Sequence, residues 1–258
     1  MRIGASSLHL IGKPFSLLLE AIRTYDVDLW EIVDDDTHTL TNERVNDLNE
    51  LKESLGIDYT VHSPFSDINI AAMNETFRSM TIERLTQSLH YARKIGALLW
   101  VFHPGIHSAL SHFYPQRDMQ NCVLSVGELS KVAEELEIPI VIENMPASVM
   151  FLLRATDEFD TFFEQVGKTA PDIVLDIGHA NTTNEIETFL ERQGGRVVHL
   201  HAHDNDGQAD SHEGIGDGTV PWKVVSSKLS KLGFNGSVIV ESVKHVPESI
   251  RSARELFL

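Results

Sequence analysis

The chain has 258 residues, 42% hydrophobic and 23% charged, with 21 Lys+Arg against 38 Asp+Glu and a formal charge of −17. That length suits one large globular domain, since α/β barrels reach it undivided, and the composition supplies a sizeable core. The acidic balance argues against a broad basic face for phosphate backbones, and no apolar run approaches the roughly 20 residues of a membrane-spanning helix; a single cysteine, Cys122, excludes an intramolecular disulfide.

The N-terminal stretch MRIGASSLHLIGKP is too short and too polar for a secretory signal. One thiol in an apparent helix suits a small core residue of a cytoplasmic protein. Short β-branched runs predict strands over Arg2–Ala5, Leu29–Val33, Tyr59–Val61, Leu98–Phe102, Ile138–Ile142, Ile173–Leu175, Val197–Leu200 and Ser237–Val240. Between them, amphipathic patterns predict helices over Phe15–Thr24, Glu43–Leu55, Glu75–Ile95, Asp118–Leu136, Glu158–Val166, Glu185–Arg192, Trp222–Leu232 and Pro247–Phe257. In Glu75–Ile95 the apolar positions Phe77, Met80, Ile82, Leu85, Leu89 and Ala92 keep a three-to-four spacing. Eight strands, each followed by a helix, describe a (β/α)₈ TIM barrel spanning 1–258 as a single α/β domain. An open doubly wound sheet would want a glycine-rich dinucleotide loop after the first strand, and GASSLHLIGK is not one.

In such a barrel, functional side chains sit at the C-terminal ends of the strands. Strand three ends in His62, strand four in His103, strand five in Glu143, and strand six in Asp176 with His179 one turn on. Strand seven ends in His201 and strand eight in Glu241, while Asp210 and His212 follow in the loop HAHDNDGQADSHEG. Imidazole nitrogen and carboxylate oxygen are the usual ligands of zinc and manganese. A lone histidine at a strand end is most simply a buried ring bonded to a carbonyl, but six consecutive strands with a metal-capable end point to a common site. Alternation along the seventh strand is expected to send His201 to the side opposite His199 and His203, so that one element cannot aim every candidate at one ion.

These strand ends carry a resemblance. Over essentially its whole length the chain is similar to the xylose isomerase-like TIM-barrel superfamily, which holds sugar isomerases, epimerases and the endonuclease IV class of apurinic/apyrimidinic endonucleases. In sugar-handling members the resemblance implies one divalent ion held at Glu143, Asp176, His201 and Glu241. In the endonuclease branch it implies three zinc ions, held by those four together with His62, His103, His179, Asp210 and His212. All nine positions carry the expected residue type. Two stretches depart from the endonuclease pattern: Ile177 replaces a hydroxyl residue, and HAHDND stands where H-x-N-D-S/A-K is usual, which looks more like the isomerase/epimerase-like members.

Two chemistries therefore stand open, with one to three divalent ions as cofactor, zinc or manganese. In the first, a metal polarises a keto sugar or sugar phosphate while Glu143 and Glu241 act as the acid/base pair. In the second, two or three ions clamp the phosphodiester of DNA at an abasic site. Scarce basic residues in the βα loops favour the small substrate. Among other residues, Glu31 is expected to be a solvated rim carboxylate, Asp34–Asp36 a solvated acidic loop, Trp100 core, and His107, His112 and His245 surface residues. Gly214, Gly216 and Gly218 could approach a phosphate or simply form a turn.

Overall fold

The computed structural model describes every residue from Met1 to Leu258, and eight parallel strands close into a barrel in sequence order. They are β1 (Arg2–Ser6), β2 (Leu29–Val33), β3 (Asp58–His62), β4 (Trp100–Phe102), β5 (Ile140–Glu143), β6 (Asp172–Asp176), β7 (Val197–Ala202) and β8 (Ser237–Val240). Closure is made by β8 against β1, with Arg2 opposite Ser237 and Ala5 opposite Val240. Gly4 sits at this seam because a Cβ there would lie 2.6 Å from the Leu29 carbonyl oxygen. The helices are α1 (Phe15–Thr24), α2 (Asn42–Leu55), α3 (Glu75–Lys94), α4 (Arg117–Leu136), α5 (Thr156–Val166), α6 (Ile177–Thr182), α7 (Ile186–Arg192), α8 (Trp222–Leu232) and α9 (Val246–Phe257). None is long and apolar enough to cross a membrane.

The barrel is the expected (β/α)₈ fold with one addition. Helix α6 starts directly at the end of β6, because the Asp176 carboxylate caps it by accepting the His179 backbone N–H at 2.6 Å. Local signals place other helix ends: Thr41 accepts the Arg44 N–H at the start of α2, and Gly56 closes it at a left-handed φ of 68°. In α3 the buried face is Arg78, Thr81, Leu85, Ser88, Leu89 and Ala92, whereas Phe77 and Met80 are more than half exposed. Arg78 can hold a core-facing position because it bonds Glu75, Ser125 and Glu128.

Alternation along the strands sorts the interior into layers. Outward residues such as Trp30, Tyr59, Phe102, Leu175 and Leu200 join the apolar shell beneath the helices. Inward, Leu99, Val101, Val141 and Val174 pack together as a floor. Two residues further along these strands, His103, Glu143 and Asp176 face the mouth. The floor thus lifts the polar residues to one end of the barrel. Cys122 lies wholly buried on α4, where burial pushes its thiol up to about 12.

Candidate metal centre

At the C-terminal mouth the loops enclose a cavity of about 760 Å³. His62, His103, Glu143, His179, Asp210, His212 and Glu241 line its base, and apolar side chains such as Leu8, Phe65, Met145 and Phe151 form its walls. No lysine or arginine lines it.

Four buried groups meet at the centre: Glu143, Asp176, His201 and Glu241 each offer a donor atom, all within 4.8 Å of one another. His201 Nδ1 lies 3.1 Å from Glu143 Oε1, 3.6 Å from Glu241 Oε2 and 3.8 Å from Asp176 Oδ2. Three carboxylates on one side of one imidazole repel one another unless positive charge lies among them. Asp176 Oδ2 is moreover buried with no hydrogen-bond partner. This donor set fits a divalent cation of the zinc or manganese kind.

Glu143 also faces a second group. Its Oε2 lies 3.2 Å from Nε2 of His62 and 3.2 Å from Nε2 of His103. His62 donates its Nδ1–H to the Ser63 carbonyl at 2.8 Å, so it is Nε2 that faces Glu143: protonated, it donates to that carboxylate, and once an ion displaces the proton it offers a lone pair.

The third group is His179, His203, Asp210 and His212. Each of its rings sets Nδ1 against a backbone carbonyl: His179 against Asn144 at 2.7 Å, His212 against Glu241 at 3.0 Å, and His203 against Asp204 at 3.4 Å. All three Nε2 atoms then face the Asp210 carboxylate, at 3.1, 3.3 and 3.5 Å respectively. Carbonyl-anchored Nδ1–H groups are the usual outer support of metal-binding histidines.

Electrostatics follow from this crowding. Burial alone would raise the Glu143 carboxyl, but the charge of His201 and hydrogen bonds from His103, His201 and His62 hold it well below the usual carboxylate range. Burial would lower His179 and His212, yet neighbouring carboxylates, Asp210 foremost for His212, push them up to about 10 and about 9. His201 is raised well above its ordinary value, mainly by Glu241, Glu143 and Glu31 against the opposing effect of burial. In the absence of a cation, protons hold these carboxylates together.

All nine predicted ligand positions, His62, His103, Glu143, Asp176, His179, His201, Asp210, His212 and Glu241, therefore fall in these three adjoining groups. The expectation that His201 faces away from its neighbours fails on parity: residues two apart share a strand face. His199 and His201 both turn inward and both reach Glu31, while Leu200 and Ala202 face the shell. The same parity carries His203 into the third group, and it was missed for that reason. Its ring has room because residue 178 is glycine; a Cβ built there would overlap the His203 imidazole.

Two further expectations are corrected, and of the two readings of the glycine-spaced loop the turn is the one found. Glu31 is fully buried beneath the centre, accepting the Thr60 hydroxyl at 2.9 Å, and is no rim carboxylate. Asp34 is also fully buried, clamped by Arg84 and by the Leu40 N–H, although Asp35 and Asp36 remain near the surface. The glycine-spaced loop surrounds Asp204, which accepts N–H groups of Asn205, Gly216 and Val220 and the Trp222 indole N–H. Gly218 packs against that carboxylate, so the loop is built around a buried acid. Trp100 is core as expected, donating to Ser88, and His107, His112 and His245 are exposed.

Comparison with known proteins agrees with the architecture. The chain is 32% identical, over 98% of its length and 87% of the relative's, to an uncharacterised protein of Methanocaldococcus jannaschii. It is 24% identical to the D-psicose 3-epimerase of Ruminiclostridium cellulolyticum, over 88% of this chain and 78% of that one. Among solved structures, a D-tagatose 3-epimerase-like protein superposes with a TM-score of 0.91 at 30% identity, covering 99% of this chain and 97% of its own. The family model described as "Xylose isomerase-like TIM barrel" matches residues 19–257, and the chain belongs to that family.

Proposed function

We propose that the protein is a divalent-metal-dependent isomerase or epimerase acting on an uncharged keto sugar. The observation that carries this reading is the convergence of Glu143, Asp176, His201 and Glu241 at the base of a cavity lined by no lysine or arginine. The named epimerases among its relatives support it. A zinc or manganese ion held by these four residues would polarise a substrate carbonyl and acidify the adjoining C–H. Glu143, kept ionised by His62, His103 and His201, is the base that removes the carbon-bound proton. Glu241, arriving from the end of β8 at the same His201 nitrogen, returns a proton. His62 and His103 hold Glu143 in place, and the apolar walls exclude water from the reacting carbon. A phosphate ester would meet no arginine or lysine in the cavity, which favours the free sugar over its phosphate. A cytoplasmic location is part of this proposal, in keeping with the buried free thiol of Cys122.

A multi-zinc phosphodiesterase acting on abasic DNA is the second reading, favoured by the two outer groups, which give the mouth room for further ions. The absence of lysine and arginine from the lining and the net charge of −17 oppose it.

The deciding experiment incubates metal-loaded protein with keto sugars and their phosphates in deuterated water and follows deuterium uptake by mass spectrometry. Uptake in wild type that persists in His179→Ala and vanishes in Glu241→Gln is expected. Chelator-sensitive incision of an abasic-site duplex at physiological salt, with no sugar exchanging, would overturn the proposal.

A further inference from the structure

Below the mouth, the barrel's middle layer is apolar on some strands and polar on others. Val101, Val141, Val174 and Ile239 fill four inward positions of that layer, whereas β2, β3 and β7 supply Glu31, Thr60 and His199. All three are essentially excluded from solvent. Buried polar groups cost several kcal/mol each unless fully partnered, so a purely structural layer would be completed with valine or isoleucine here too. The polar part lies where β7 carries His201 two residues above His199.

The contacts form one chain. His199 Nδ1 is 2.6 Å from the Ser237 hydroxyl, and its Nε2 is 3.0 Å from Glu31 Oε2. Thr60 donates to that same oxygen at 2.9 Å. Glu31 Oε1 is then left for His201, whose Nε2 lies 2.9 Å away. The approach is off the N–H axis, and neither atom has another hydrogen-bond partner. On its opposite edge His201 presents Nδ1 to Glu143, Glu241 and Asp176.

We propose that Glu31 is the positioning residue of the central cation site, holding His201 with Nε2 protonated so that Nδ1 is the nitrogen offered to the ion. The proposal rests on reading Glu143, Asp176, His201 and Glu241 as that site. An imidazole flanked by carboxylates on one edge only would keep its last proton on that edge, where it blocks coordination. A second carboxylate behind the ring retains the Nε2 proton, so the one displaced on ion binding is that of Nδ1. Thr60 and the His199–Ser237 pair in turn keep the Glu31 carboxylate in orientation. Outer partners of this kind change metal affinity by about 10- to 100-fold.

Two measurements test this on the full chain. In protein with nitrogen-labelled histidine loaded with NMR-active cadmium, coupling to the metal is expected at Nδ1 of His201 with Nε2 still protonated; coupling at Nε2 would overturn the proposal without any variant. In competition with a chromophoric chelator, Glu31→Leu is expected to bind manganese or zinc about 10- to 100-fold more weakly than wild type. Val141→Ala, an apolar change in the same layer, is expected to lower thermal stability while leaving ion affinity unchanged. If Glu31→Leu does not fold, Thr60→Val, which strips one hydrogen bond from Glu31, is expected to weaken binding in the same direction. Wild-type affinity in whichever Glu31-side variant folds would overturn the positioning role alone. Absence of any ion in wild type would instead overturn the reading of the site.

Discussion

The imidazoles of His203 and His212 lie face to face, ring centroids 3.8 Å apart with planes 18° from parallel. One ring rises from just beyond β7, and the other from a loop residue held at a left-handed φ of 46°. Non-glycine residues adopt that conformation only where their surroundings impose it, and such positions concentrate at functional sites. Gly178 makes the stack possible by leaving space under His203. Gly178→Ala is therefore expected to push His203 out, lower stability by about 1–3 kcal/mol through overpacking, and remove one equivalent of bound zinc while the central group still binds. Thermal unfolding together with zinc titration checks this. An unchanged zinc count would show that His203 holds no ion.

Removing a central ligand should act on ion content before anything else. Glu241→Gln keeps the shape of the side chain but withdraws one of the three carboxylate charges facing His201 Nδ1. After identical dialysis, elemental analysis is expected to find less than half of the wild-type metal in the variant. Equal content would return Glu241 to the status of a mouth-side carboxylate with no ligand role.

Protons and the cation compete for the same atoms, which fixes the sign of the pH dependence. His179 and His212 rise from 6.5 to about 10 and about 9 in the fold. In the metal-free protein their contribution to stability is complete below pH 6.5 and is lost as pH climbs through 9 to 10. Cation affinity runs the other way, increasing across the same window as protons leave. Calorimetry at neutral pH, in two buffers of different ionisation enthalpy, is expected to show net proton release on ion binding. Proton uptake, or no exchange, would contradict the cluster chemistry.

A stability test away from the histidines concerns Asp34, whose buried carboxylate meets Arg84 at 2.8 and 3.1 Å. Arg84→Ala leaves that charge with the Leu40 N–H as its main partner, and an uncompensated buried charge costs about 3 kcal/mol. Denaturant unfolding measures it. Asp34→Asn in the same chain is expected to recover part of the loss, because it withdraws the stranded charge.

Much of this protein is written locally. Each strand is a short apolar run, and where the runs end, at His62, His103, Glu143, Asp176, His201 and Glu241, the residue type already names the chemistry, because the inward face changes from floor to mouth within two residues. Parity along β7 also carried His203, and a consistent count by twos would have found it. What local pattern could not carry is pairing across closure. Glu31 lies 168 residues from His199, and only the closing of the barrel brings the two strands' side chains together. On sequence alone a carboxylate following Trp30 reads equally well as inward or outward. Likewise the division of nine candidate ligands into three groups, two of which share Glu143, and the choice of which ring nitrogen faces a carbonyl and which an acid, were decided by tertiary structure. Those choices depend on distances of about 3 Å between residues that the chain order keeps apart.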